Sequence, residues 1–111
     1  MSVANDLTRK IIQFVHDHGG FAWRASTTGI PDFKRGILRS APKRGVSDIL
    51  GIYGEGRLIA VEIKIGKDKL SPEQSGFLQN IEHFGGWSFV ARDSDSFREW
   101  WYSEVDGKST S

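Results

Sequence analysis

The chain has no cysteine among its 111 residues. That excludes a disulfide framework, a thiolate metal site and a cysteine nucleophile, so any metal must be held by oxygen ligands or by the three histidines. Apolar runs are short, and none approaches the ~18 residues that a membrane span needs. The opening MSVANDLTRK lacks the basic start and apolar segment of a signal peptide, which predicts an intracellular protein. Repeats, linkers and low-complexity blocks are also missing. With hydrophobic residues at 38% and charged residues at 26%, the balance is that of a soluble globular protein. One domain over residues 1–103 is expected, with one core and one site, followed by a flexible tail over 104–111 that has nothing to bury.

Net charge is nearly absent at +1, but the signs are unevenly placed. KRGILRSAPKR holds five basic residues, Lys34, Arg35, Arg39, Lys43 and Arg44, and no acidic one. A basic segment on a nearly neutral chain suits phosphate contact, or is simply a solvated basic hairpin. The histidines offer little: His16 and His18 lie two apart at a helix end and face different ways, and His83 is remote, so a histidine zinc site is not expected.

Apolar residues at Val3, Leu7, Ile11, Phe14 and Val15 have helical spacing, stopped by Gly19-Gly20. FAWRAS alternates as a strand, and FKRGILRS is a candidate hairpin segment. VSDILGIY and RLIAVEIKI, joined by GEG, should pair antiparallel. Ser71-Pro72-Glu73-Gln74 combines an N-cap serine, a first-turn proline and a glutamine at the capping-box position, predicting a helix with Phe77, Leu78, Ile81 and Phe84 as its apolar stripe. WSFVA is a further strand and SDSFREWWY a short aromatic helix. Trp87, Trp100, Trp101 and Tyr102 suit core packing or a subunit contact better than base stacking. The order of elements predicts an α/β fold, a mixed β-sheet flanked by α-helices.

One strand breaks its own pattern. In AVEIKI, residues 60–65, Glu62 and Lys64 share a face while Val61, Ile63 and Ile65 share the other. Charges on a central strand are costly to desolvate, so they should pair with each other, bind an ion or lie at an open corner of the sheet. For an isolated E-x-K a modest surface ion pair is the ordinary reading. Asp48, at the start of the preceding strand, changes the balance, because antiparallel pairing puts it opposite Glu62 or Lys64. Two carboxylates and a lysine at one corner form a hard-oxygen site suited to Mg2+ or Mn2+. Phosphodiester hydrolysis needs such a set: carboxylates to hold the cation, the cation to activate water and stabilise phosphoryl charge, and an ammonium to position the water. The backbone carbonyl of Ile63 is a candidate further ligand.

GVSD ending at Asp48, followed fourteen residues later by Glu62 in VEIK, resembles the PD-(D/E)xK nuclease signature, with Ser47 where proline usually stands. With the following KLSPEQ it resembles the VRR-NUC branch of that superfamily over about residues 6–89. The resemblance implies a restriction-endonuclease-like core, with Asp48 and Glu62 as metal ligands, Lys64 as the catalytic lysine and Gln74 beside the active site. Gln74 is equally a capping-box residue. Asp6 matches a first-helix acid that completes the metal site in the family, or is a first-turn residue favouring the helix dipole. Arg24 and Arg39 match basic positions suited to phosphate contact, or are exposed strand residues. Stand-alone single-domain members look like Holliday-junction resolvases. The resemblance therefore implies a Mg2+-dependent endonuclease on branched DNA, with Mn2+ as substitute, and suggests a phage or mobile element. Two-fold junctions call for a homodimer, and the aromatic C-terminal helix is the expected contact. The other open readings are a nucleic-acid-binding module with a vestigial site, and a nickase or restriction-like enzyme on linear duplex.

Overall fold

The computed structural model describes residues 2–25, 30–32, 37–39 and 46–109. Helix α1 (Val3–Asp17) starts where the Ser2 hydroxyl accepts from the Asn5 amide at 3.0 Å, and it buries Leu7, Thr8, Ile11 and Val15 on one stripe. After the glycine pair come β1 (Phe21–Arg24), the hairpin strands β2 (Ile30–Asp32) and β3 (Ile37–Arg39), then β4 (Ile49–Tyr53) and β5 (Arg57–Ile63). The turn between β4 and β5 uses Gly54 and Gly56 at φ +69° and +91°, a region that only glycine enters without strain. Helix α2 (Pro72–His83) leads to β6 (Trp87–Ala91), which is followed by α3 (Ser94–Trp100), a π-helical turn (Trp101–Val105) and α4 (Asp106–Ser109).

The main sheet has the order β1-β4-β5-β6. Strands β1 and β5 run antiparallel to β4, whereas β6 runs parallel to β5, as a strand reached through the α2 crossover can. The predicted α/β fold with a mixed sheet and flanking helices is the one observed. The candidate hairpin around FKRGILRS is a separate two-stranded ladder, with Ile30 opposite Arg39 and Asp32 opposite Ile37.

The two faces of the sheet are unequal. Ile49, Ile59, Val61 and Ile63 join Leu7, Ile11 and Val15 of α1 and Phe97, Trp101 and Val105 of the C-terminal helical segment in one apolar core. On the opposite face, α2 covers Ala60 and Glu62 with Leu78 as its one fully buried residue. The predicted α2 stripe is therefore thinner than expected: the helix stops at His83, and Phe84, its C-cap, is 84% exposed.

The C-terminal segment departs from expectation most. Phe97, Trp101 and Val105 are all buried at intervals of four residues, a spacing that drifts around an α-helix. The wider π turn between Trp101 and Val105 keeps the three on the core side. Val105 therefore has a place in the core, and the Tyr53 hydroxyl donates to Asp106 at 2.9 Å. Within the segment expected as a tail, residues 104–109 are helical. Trp100 stacks on Phe89 with centroids 4.9 Å apart, and Trp101 is fully buried, so the aromatics proposed for a subunit contact are mostly spent inside the chain.

Candidate active site

The site is made where β4 begins and β5 ends. Pairing of β4 with β5 stops at Ile49 opposite Val61, so Asp48 comes level with Glu62, which resolves the register left open by the sequence. Beyond that point side-chain bonding replaces the ladder: Asp48 Oδ2 accepts from the Ile63 amide at 2.8 Å. The Asp48 carbonyl accepts from the Ala25 amide at 2.9 Å, which ties the end of β1 to the same corner. Asp48 is thus fixed through its main chain and through one carboxylate oxygen. It is the amide of Ile63 that makes this contact, whereas the sequence reading had singled out the residue's carbonyl.

Glu62 is 2% exposed. Its Oε1 accepts from Gln74 Nε2 at 3.3 Å, while its Oε2 is buried without a hydrogen-bond partner. Asp48, the neighbouring acid, is an acceptor when ionised, so it bonds this carboxyl only while Glu62 carries the proton. Burial first, and the Asp48 carboxylate second, push the Glu62 carboxyl from its usual 4.5 up to about 8, with only the positive charge of Lys64 acting the other way. Each acid has one oxygen held by the protein, Asp48 Oδ2 by the Ile63 amide and Glu62 Oε1 by Gln74, and the two carboxyls face one another.

Gln74 performs both of the roles left open above. Its Oε1 accepts from the Ser71 amide at 2.9 Å while its own amide donates to the Ser71 hydroxyl oxygen at 3.1 Å, closing the capping box, and its Nε2 reaches Glu62. Because amide and carbonyl ends are both used, the start of α2 and the Glu62 carboxylate are set by one side chain. Lys64 lies one residue past the end of β5 and is half-buried, and its amide donates to the Ala91 carbonyl at 3.0 Å. Ser47, in the position where proline usually stands, is fully buried, and its hydroxyl has no hydrogen-bond partner among the described residues.

Other residues singled out from the sequence are not gathered here. Asp6 lies in the first turn of α1, where its carboxylate pairs with Arg9 at 2.6 Å. Among the described residues no group of three His, Cys, Asp or Glu side chains is close enough to hold a metal, so the acids at this corner number two. Mg2+ tolerates such a set, since it keeps several waters and takes one or two carboxylates plus substrate phosphate. Arg24 ends β1 at the same end of the sheet, exposed, with Nη1 donating to Asn5 Oδ1 at 3.4 Å. Arg39 lies on β3, but its side chain falls outside the described residues, as do Lys34, Arg35, Lys43 and Arg44. Sequence reasoning missed Arg92, which follows β6 and donates to the Gly66 carbonyl at 3.1 Å. The available signal was the strand-helix-strand order of β5, α2 and β6, which implies a parallel pair and brings the residue after β6 to this end.

A mixed sheet with flanking helices, an acid at the head of one central strand and an E-x-K at the tail of the next define a restriction-endonuclease-like core. Residues 4–95 match the family profile of the VRR-NUC domain. The chain belongs to that family, which gives it a nuclease-type function and DNA as substrate, with divalent metal as the family's usual cofactor. No curated protein and no solved structure matches it significantly. Among the described residues no helix is long and apolar enough to cross a membrane.

Proposed function

We propose that this protein is a Mg2+-dependent endodeoxyribonuclease, with Mn2+ as a working substitute, that cuts branched DNA such as four-way junctions inside the cell as a symmetric pair of chains. The observation that carries the reading is the buried Glu62 Oε2, without a partner beside the Asp48 carboxylate. Asp48 Oδ1 and Glu62 Oε2 would hold the cation, with the Ile63 carbonyl as a further oxygen. When bound, the cation supplies Lewis-acid stabilisation of phosphoryl charge and a water acidic enough to attack. Gln74 keeps Glu62 turned so that Oε2 stays available, and the Ile63 amide does the same for Asp48. Lys64 positions the attacking water or meets the charge that develops on phosphate. The preference for junctions rests on the likeness to stand-alone family members and on symmetry, since paired incisions in a two-fold substrate need two sites.

The deciding experiment incubates labelled four-way junction, flap, single-stranded and linear duplex DNA with the protein in Mg2+, Mn2+ or chelator. Cleavage of the junction with either metal and none with chelator is expected. Cutting confined to linear duplex would replace the substrate assignment, and binding without scission in both metals would mean a vestigial site.

Substitutions at Gln74 separate its two tasks. Gln74→Ala should cost about 1 kcal/mol of stability through the lost cap and slow cleavage at least tenfold. Gln74→Glu preserves the capping-box acceptor, so it should restore much of the denaturant midpoint. Cleavage should stay impaired, because a third carboxylate then faces Glu62. Full recovery of activity in Gln74→Glu would reduce Gln74 to a cap.

A further inference from the structure

The structure assigns to Arg92 and Lys67 a grip on the DNA backbone, on the opposite flank of the catalytic pair from Arg24; this rests on the nuclease reading above. Four observations lead there. Strand β6 is parallel to β5, and Ala91 lies opposite Ile63, so the chain leaves β6 at the end of the sheet where β5 delivers Glu62 and Lys64. In open α/β sheets this carboxyl end of parallel strands is where ligands are taken up.

The segment that leaves β5 then turns back at once. The Asp68 amide donates to the Ile65 carbonyl at 3.2 Å, with Gly66 at φ +63° and no positive φ at Lys67, the pattern of a type II′ turn. Glycine is required at that first central position, and Lys67 is thereby set at the tip, exposed, three residues beyond Lys64. Arg92 Nη1 donates to the Gly66 carbonyl, so the guanidinium lies against this turn.

Both cations are exposed, and neither forms an ion pair among the described residues. The nearby acids are accounted for in part: Asp93 spends its carboxylate on the Ser96 amide at 2.7 Å as the cap of α3, Asp6, which lines one cavity with Arg92, is paired with Arg9 at 2.6 Å, and Asp68 is exposed. Arg92 retains four of its five N–H donors, in the planar fork that suits phosphate.

Spacing supplies the last argument. In the order β1-β4-β5-β6, Arg24 and Arg92 leave the two outer strands while Asp48 and Glu62 occupy the two inner ones. Three strand intervals make about 14 Å, or about four base steps of axial rise along one DNA strand. A backbone with its scissile phosphate at the acid pair therefore passes Arg24 on one side and Arg92 with Lys67 on the other.

The test measures binding of the full chain to a labelled four-way junction in Ca2+, across a range of NaCl, for wild type, Arg92→Ala, Arg92→Lys and Lys67→Ala. Arg92→Ala and Lys67→Ala should each weaken binding about fivefold to tenfold, and each should lower the slope of log K against log[salt] by about 0.9, the value of one lost phosphate contact. In Mg2+ the loss should fall on KM more than on kcat, and Arg92→Lys should recover part of it. An unchanged salt slope in Lys67→Ala overturns the proposal, because that side chain is exposed at the tip of the turn. So does a fall in kcat alone in Arg92→Ala, which would make the arginine a strut for the turn after Lys64. Binding is read without cleavage, so a protein that binds with these slopes but never cuts would sink the nuclease reading and leave the grip standing.

Discussion

Glu62→Gln should abolish metal-dependent cleavage and at the same time make the metal-free protein more stable. The loss of activity follows from the donor set. With two carboxylates at the corner, neutralising one halves the formal charge that holds the cation and removes the anionic oxygen nearest the core. Metal assistance is worth several kcal/mol of transition-state stabilisation, so a fall of at least about a thousandfold is expected. The gain in stability has the same origin. Glutamine keeps the shape and the acceptor for Gln74 Nε2, and its amide takes the place of the carboxyl proton as the donor facing Asp48. It also removes an acid whose ionisation the fold opposes. At pH 7 the variant should therefore unfold with a free energy about 2 kcal/mol above that of the chelated wild type, read from denaturant midpoints in chelator. Glu62→Ala is the contrast, since it loses the activity equally but leaves a void and strips Gln74 of its acceptor, and should be destabilised. Retention of cleavage by either variant would remove Glu62 from the metal site.

How much of this was legible in the sequence can be argued from single residues. The antiparallel pair around Gly54-Glu55-Gly56 was legible because turn chemistry fixes the partner, whereas the register stayed open between Glu62 and Lys64 until the ladder brought Asp48 level with Glu62. The start of α2 was legible because Ser71, Pro72 and Gln74 act locally. What could not be read is the reach of Gln74 from its cap to Glu62, a contact between elements twelve residues apart whose alignment is set by the packing of the crossover. The helical continuation through Val105 was not legible for a similar reason. Val105 is a lone apolar residue in a polar stretch, and only a π turn brings it onto the core beside Trp101. Asp6 was matched by position, but its short side chain is held by Arg9 one helical turn away. The Ile63 amide was not singled out either, and it is this amide that Asp48 engages, a side chain standing in for the strand that has ended.

The second large effect is a stability that falls as pH rises and that metal reverses. In the native chain Glu62 holds its proton up to about pH 8, whereas in the unfolded chain it ionises near 4.5. Between those values the native state binds more protons than the unfolded state, so unfolding releases a proton and the slope of stability against pH is negative. The stabilising contribution is complete below about 4.5 and is lost as pH rises through about 8. Asp93, pulled below its usual value by capping Ser96, titrates under this window and does not contribute to it. The chelated wild type should therefore lose on the order of 3 kcal/mol between pH 5 and pH 8.5, with Glu62→Gln nearly flat over the same range. Asp48→Asn should flatten the wild-type slope in part, because it removes the second cause of the shift but leaves the burial. A divalent cation binds the ionised pair, so below pH 8 its binding must expel the proton, and its affinity should climb with pH until Glu62 is ionised in the free protein. The rise in melting temperature at saturating Mg2+ should consequently be larger at pH 8.5 than at pH 6. Chemical denaturation at stepped pH in chelator and in Mg2+ measures both slopes. Superposable profiles for wild type and Glu62→Gln would show that Glu62 holds no proton in the native chain, and would remove the electrostatic reason for a cation at this corner.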